Sequence, residues 1–197
     1  MSSNVDVEIV NFVCTGWLGT TTLDLSTIAR TMWNIEYNPQ RFSAAIIRIR
    51  RRWGQSSGSA TILLFRTGRF VCTGTRSFDE AKRVSRKLAR RIQQQQQHQQ
   101  QQQQIRFLDF KVQNVVGCTR TGFQIDLRAL YEHRREQCVW QQERFPAGIR
   151  FRPSNERKRC ALVFPAGRCV LTDCHSHTEC MEFGAEVRRL LLRYKCK

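Results

Sequence analysis

Short runs rich in β-branched and aromatic residues alternate along this chain with stretches whose apolar residues recur at helical spacing. Glu8–Cys14 and Phe110–Val116 are of the first kind and predict strands. Leu23–Trp33 and Ile125–His133 predict helices, with Asp24 and Asp126 near their starts. Ala44–Arg50, Thr61–Phe65 and Arg69–Thr73 predict an antiparallel meander, with Thr67-Gly68 as a hairpin turn. Within Arg69–Thr73 the pleat sends Phe70 and Cys72 to one side and Val71 to the other. Asp79–Ile92 is the clearest helix, since Ala81, Val84, Ser85, Leu88 and Ile92 share one face while Lys82, Arg83, Arg86, Lys87, Arg90 and Arg91 cover the rest. Each half of the chain thus runs strand, helix, several strands, long helix.

The pattern is written twice. Val7–Val13 is echoed by Phe110–Val116 and Arg41-Phe42 by Arg144-Phe145, both 103 residues on. Leu63–Thr73 is echoed by Leu162–Thr172 at an offset of 99, and Val84–Leu88 by Val187–Leu190 at 103. A period this long marks a duplicated domain, not a solenoid. Residues 1–92 form the first repeat, 93–104 a linker and 105–197 the second repeat. The linker is eleven glutamines and His98, a composition that predicts a mobile segment. Trp53–Ser59 and Ser154–Arg159 read as polar loops at matching places.

Charge narrows the choice of partner. The net charge is +17, shared as +9 over residues 1–92 and +8 over residues 105–197, so both repeats are basic and nucleic acid is the leading partner. The chain shows no apolar run long enough for a membrane span. Nine scattered cysteines without a secretory signal read as free thiols in a reducing compartment. No nucleophile triad, paired-carboxylate or phosphate-loop motif is present, so catalysis is not expected, and no cofactor is implied. Cys174, His177 and Cys180 are soft ligand types, but their spacing is not that of a zinc finger and no metal is assigned to them. Cys138 near His133 is read as a chance pair.

Several motifs together resemble the TATA-box-binding protein family: Glu36–Phe42, Arg48-Ile49-Arg50, Val71–Gly74, Phe107–Asn114 and Phe145-Pro146. The resemblance covers almost the whole chain and is weaker in the second repeat, as in a divergent related factor. It implies an α+β fold in which two pseudo-symmetric repeats form a saddle-shaped, curved antiparallel sheet with helices on the convex side. The other side would lie in a DNA minor groove.

The resemblance also implies roles by position. Phe42, Phe65, Phe145 and Phe164 match the wedges that enter between base pairs. Asn11 and Asn114 match central asparagines that donate to minor-groove acceptors. Val13, Val71, Val116, Val170, Thr73, Thr172, Leu63 and Leu162 match the groove-floor contacts. Arg48, Arg50 and Arg152 match phosphate partners, with Arg69 and Arg168 as further candidates. Lys82, Arg86, Lys87 and Arg90 match a basic surface for a factor IIA-type partner. Of an acidic pair for factor IIB, Glu143 is present while Gln141 replaces the other. Asp173 stands where the family has a turn glycine, and Pro165 follows a wedge where the family has another residue.

The expected function is minor-groove binding to A·T-rich, TATA-like promoter elements with DNA bending, which nucleates a transcription preinitiation complex in the nucleus. The protein would act as a monomer on double-stranded DNA, with general transcription factors and polymerase-associated factors as partners. A second reading keeps the saddle but not TATA specificity, and has the protein bind or sequester initiation factors. Asp173, Pro165 and the altered second repeat lean toward that alternative; the four phenylalanines lean toward DNA.

Overall fold

The computed structural model describes residues 6–50, 59–98, 104–141, 143, 145, 147–154 and 159–196. Residues 53–58 of the first loop, 155–158 of the second, 99–103 of the glutamine tract, Arg144 and Pro146 lie outside the described residues. In chain order the elements are β1 (Val7–Trp17), α1 (Leu25–Thr31), β2 (Ile35–Glu36), β3 (Ala44–Arg50), β4 (Ser59–Phe65), β5 (Arg69–Thr75) and α2 (Phe78–His98). The same plan then returns as β6 (Leu108–Arg120), α3 (Leu127–His133), β7 (Cys138–Val139), β8 (Ile149–Phe151), β9 (Cys160–Val163), β10 (Arg168–Cys174) and α4 (His177–Leu191).

The chain divides into two compact units, one of Asn11–Gln113 and one joining the segment up to Val10 with the segment from Asn114 on. In the first, antiparallel strands run in the order β2-β3-β4-β5-β1, with the beginning of β6 beyond β1. One face buries Ala45, Ile47, Ile62, Leu64, Phe70 and Cys72. Against this face pack Ala81, Leu88 and Ile92 of α2, the apolar stripe that the sequence predicts. In the second unit the order is β6-β10-β9-β8-β7, with the beginning of β1 beside β6. Its buried face is Ile149, Phe151, Ala161, Val163, Cys169 and Leu171, covered by Phe183, Val187 and Leu191 of α4. Val7 fills this core so closely that a Cβ on Gly184 would stand 2.5 Å from a Val7 methyl, so residue 184 has to be glycine. Both units are therefore α+β, as expected: antiparallel strands with helices on one face.

Capping sets the helix starts. The Asp24 carboxylate accepts from Thr27 N at 3.0 Å and Asp126 from Ala129 N at 2.9 Å, so each aspartate precedes its helix as N-cap. The long helices carry reciprocal capping boxes: Glu80 N donates to Ser77 Oγ and Arg76 N to Glu80 Oε2, while Glu179 N donates to Ser176 Oγ and His175 N to Glu179 Oε2. These boxes correct the echo of Val84 in Val187. Ser77 to Ser176 is an offset of 99, which pairs Ala81, Ser85, Leu88 and Ile92 with the equally buried Cys180, Gly184, Val187 and Leu191.

The glutamine tract also differs from expectation. Gln93–His98 continue α2 instead of forming a mobile linker. Glutamine is a good helix former, and a nucleated helix propagates at little cost per residue. Gln96 is buried one turn beyond Ile92, and Gln93 Oε1 accepts from Ile105 N at 2.7 Å.

Asp173 is not in a turn. In β5 the register slips between Phe12↔Thr75 and Cys14↔Cys72, and in β10 between Leu171↔Gly117 and Cys174↔Val115. Each slip is a β-bulge with one extra residue. The bulge residues are Gly74, with φ +81°, and Asp173, with φ +63°.

Candidate nucleic-acid interface

The face of each sheet turned from its helices carries the residues that the resemblance singles out. In the first unit β1, β5, β4 and β3 align Thr15, Val71, Leu63 and Ile46 in one cross-strand row. The next row is Thr73, Thr61 and Arg48. In the second unit Cys118, Val170, Leu162 and Arg150 form the matching row on β6, β10, β9 and β8. Thr172, opposite Cys160, follows. Val13 and Val116 lie half-buried on the corresponding faces of β1 and β6.

The phenylalanines come in pairs. The rings of Phe42 and Phe65 meet edge to face at 6.4 Å, and those of Phe145 and Phe164 at 5.9 Å. Phe42 is 43% exposed and Phe145 38%, unusual for so large an apolar group with a core available beneath it. Phe65 ends β4 and Phe164 directly follows β9, while Phe42 and Phe145 come from the segments that precede β3 and β8; each pair is held tip to ring. Pro165 sits in the β9–β10 turn, where its carbonyl accepts from Ile125 N at 2.8 Å, so proline is accommodated there.

The bulges fix the asparagines. Asn11 Oδ1 accepts from the unpaired Gly74 N at 2.7 Å, and Asn114 Oδ1 from Asp173 N at 3.0 Å. A backbone N–H can only donate, so both amides are oriented with the oxygen inward and Nδ2 as the outer group. Nδ2 of Asn11 lies 3.1 Å from Thr73 Oγ1. In the second unit the threonine turns away: Thr172 Oγ1 donates to Asp173 Oδ2 at 3.0 Å. A carboxylate thus stands on the same face as Asn114.

Of the arginines, Arg48, Arg50 and Arg152 are exposed and share the parity of the outer face. Arg48 Nε lies 3.5 Å from Glu36 Oε1, a surface pair worth about 0–1 kcal/mol that a phosphate displaces easily. Arg69 stands opposite Trp17, and Arg168 opposite Arg120 with Cys118 Sγ at 3.9 Å. Arg120 and Arg168 line one hollow with Asp6, Glu8 and Arg188.

The basic helix surface is seated on aromatics that the sequence pattern does not single out. Lys82 Nζ lies 5.6 Å from the Phe78 ring centre and the Arg86 guanidinium 5.6 Å from that of Phe107. Phe107 and Phe110 are 5.2 Å apart. Lys87 and Arg90 are exposed on the same helix. Glu143 is exposed between β7 and β8, and Gln141 O accepts from Phe145 N at 2.7 Å.

Cys174 and Cys180 are brought together, and their shared hydrogen bond raises the Cys174 thiol and lowers that of Cys180. Both are buried, whereas His177 is exposed at the helix start. Among the described residues no group of three His, Cys, Asp or Glu is arranged to hold a metal ion. All nine cysteines are free, and burial pushes Cys14 up to about 12 and Cys72 up to about 11, as for inert core thiols.

With this geometry stand the comparisons. The family model described as transcription factor TFIID, or TATA-binding protein, matches residues 6–95 and again 109–194. TATA-box-binding protein 2 of Entamoeba histolytica is 42% identical over 165 residues, which cover 84% of this chain and 71% of that protein. Over the same length TATA-box-binding protein 1 of that organism is also 42% identical, with 64% of its own length covered. TATA-box-binding protein of Acetabularia peniculus is 33% identical over 193 residues, 98% of this chain and 93% of that protein. Among solved structures Methanococcus jannaschii TBP shares the fold at a TM-score of 0.75 and 23% identity, covering 95% of this chain and 99% of that one.

Proposed function

This chain belongs to the TATA-binding-protein family, and we propose that it binds the minor groove of A·T-rich promoter elements, bends them, and nucleates a preinitiation complex in the nucleus. Membership itself carries the coarser statement: TATA-box DNA binding in transcription initiation alongside general transcription factors, without enzymatic activity. The observation that carries the finer one is the pair of partly exposed phenylalanines in each unit, on the sheet face away from the helices.

In this reading Phe42 with Phe65 and Phe145 with Phe164, one pair from each of the repeats 1–92 and 105–197, enter between base pairs at the two ends of the site. This family's complexes are the standard case of such wedging, whose cost is on the order of a few kcal/mol per unstacked step and is offset by wider contact with the bent groove. Val13, Val71, Val116, Val170, Thr73, Thr172, Leu63 and Leu162 pack on the groove floor, where a guanine amino group would collide with them. Asn11 and Asn114, each with its carbonyl oxygen held by a bulge N–H, offer Nδ2 to the acceptors of A·T pairs. Arg48, Arg50, Arg152, Arg69 and Arg168 neutralise phosphates. Lys82, Arg86, Lys87 and Arg90 meet an acidic partner of the factor IIA type, and Glu143 a factor IIB-type partner.

One observation favours a second reading, in which initiation factors are bound without TATA preference: the Asp173 carboxylate on the outer face beside Asn114. A gel-shift titration of a TATA duplex against a G·C-substituted one separates the two. Tighter binding to the TATA duplex is expected; equal binding would leave the interaction module.

A further inference from the structure

The rows in the two units are equivalent in every position but their ends, and at one end the difference is one of charge. In the first unit Ile46 faces Leu63 on one side and Glu36 of the edge strand β2 on the other. In the second unit the same place is Arg150, which faces Leu162 on one side and Val139 of the edge strand β7 on the other. An acidic and an apolar residue are thus replaced by an apolar and a basic one. Arg150 is exposed, and its neighbours Ile149 and Phe151 are fully buried on the opposite face, so its parity on the outer face is fixed. It borders a shallow hollow of about 200 Å³ with Val139, Gln141, Phe145, Gly148 and Leu162. Phe145 belongs to the second phenylalanine pair.

We infer that Arg150 is a specificity-determining residue of the second repeat, reading base edges in the minor groove beside the Phe145–Phe164 wedge. The inference rests on the minor-groove reading above. A guanidinium has donors only. Both A·T orientations present only acceptors in the minor groove, while G·C adds the guanine amino donor, which Arg150 cannot satisfy. Ile46 can exclude the amino group by bulk but makes no such bond. The two halves of the DNA site are therefore read unequally, with the stricter A·T requirement on the half contacted by the second repeat.

The test measures equilibrium affinity of the full chain, by fluorescence anisotropy, for a TATA duplex and a panel with single A·T pairs changed to G·C or to inosine·C. Inosine·C lacks the amino group but keeps the acceptors. Wild type is expected to lose about tenfold at one step near the end of one half-site with G·C, and to recover with inosine·C. Arg150→Ile removes the penalty at that step alone and leaves the other half-site unchanged; Arg150→Lys retains part of it. A variant that weakens every duplex equally and flattens the salt dependence would make Arg150 a phosphate contact and overturn the inference. So would a variant indistinguishable from wild type on a panel where wild type prefers A·T. Wild type without any A·T preference would overturn the minor-groove reading as well.

Discussion

The two bulges invite direct comparison. Both interrupt the strand that precedes the long helix, and in both an asparagine side chain takes the N–H that the bulge leaves unpaired. One bulge residue is Gly74 and the other Asp173, both with positive φ. A glycine is therefore not what makes the bulge; the register and the asparagine are. What glycine decides is the room above it. A Cβ on Gly74 would lie 2.8 Å from the Ser59 carbonyl oxygen, because β4 extends to Ser59. β9 begins only at Cys160, opposite Thr172. The second repeat carries an aspartate in the same left-handed backbone conformation, and with it a carboxylate on the outer face.

Breaking each repeat in turn gives the largest expected effects. Phe42→Ala with Phe65→Ala should abolish bending at one end of a TATA duplex, and Phe145→Ala with Phe164→Ala at the other, each with about a thirtyfold or greater loss of affinity, the ~2 kcal/mol or more that a buried aromatic anchor contributes, because the wider groove contact goes with the bend. Energy transfer between end-labelled strands reads the bend; an unaltered bend in either double variant would remove that pair from the site.

A second test concerns α2 against α4. Lys82, Arg86 and Arg90 follow one another at four-residue spacing, whereas the capping boxes align them with Met181, Ala185 and Arg189. Reversing Lys82, Arg86 and Arg90 to Glu should spare A·T preference while reducing association with factor IIA by tenfold or more, since each exposed pair alone contributes only about 0–1 kcal/mol. A supershift equal to that of the parent would leave the ridge a solvated face.

The bulges themselves can be exchanged. Gly74→Asp should destabilise by about 2 kcal/mol through backbone strain and the Ser59 carbonyl, and Asp173→Gly should stabilise by about 1 kcal/mol. Asp173→Gly should also tighten DNA binding by removing a negative charge from the face. Thermal denaturation and anisotropy check both; equal and opposite shifts would mean that the two sites have the same room.

The smallest effect is expected at Arg48. Its replacement by Ala should weaken all duplexes alike and flatten log K against log salt by roughly one unit. Glu36→Gln, which releases Arg48 from its 3.5 Å partner, should raise affinity a few-fold. An unchanged slope in the Ala variant would show that Arg48 touches no phosphate.

Most of this was legible in the sequence. Strand parity, the stripe on α2 and the two aspartate caps all follow from local spacing. The capping boxes were legible too, as Ser77-x-x-Glu80 and Ser176-x-x-Glu179, and would have aligned the long helices correctly. The bulges were not, because a register slip belongs to two strands far apart in the chain. Glutamine composition describes solvation in isolation, and could not reveal that Gln96 would continue the buried stripe of α2. The cross-strand place of Arg150 needed the pairing of β8 with β9, although its alternation with Ile149 and Phe151 was in plain view.

The division of the chain has a consequence for how the protein is made. One unit is continuous, but the other needs the residues around Val7 to meet those around Gly117 and Gly184. The Thr119 hydroxyl donates to the Asp6 carbonyl across 113 residues of chain. During synthesis the opening segment is expected to wait for β6 before it can pair, and for the last helix before Val7 is fully covered. Closing so long a loop taxes conformational entropy only logarithmically, but it slows the search. The unit from Asn11 to Gln113 is therefore expected to order first. A nascent chain stalled within the second repeat would carry an exposed strand end, a natural handle for a chaperone.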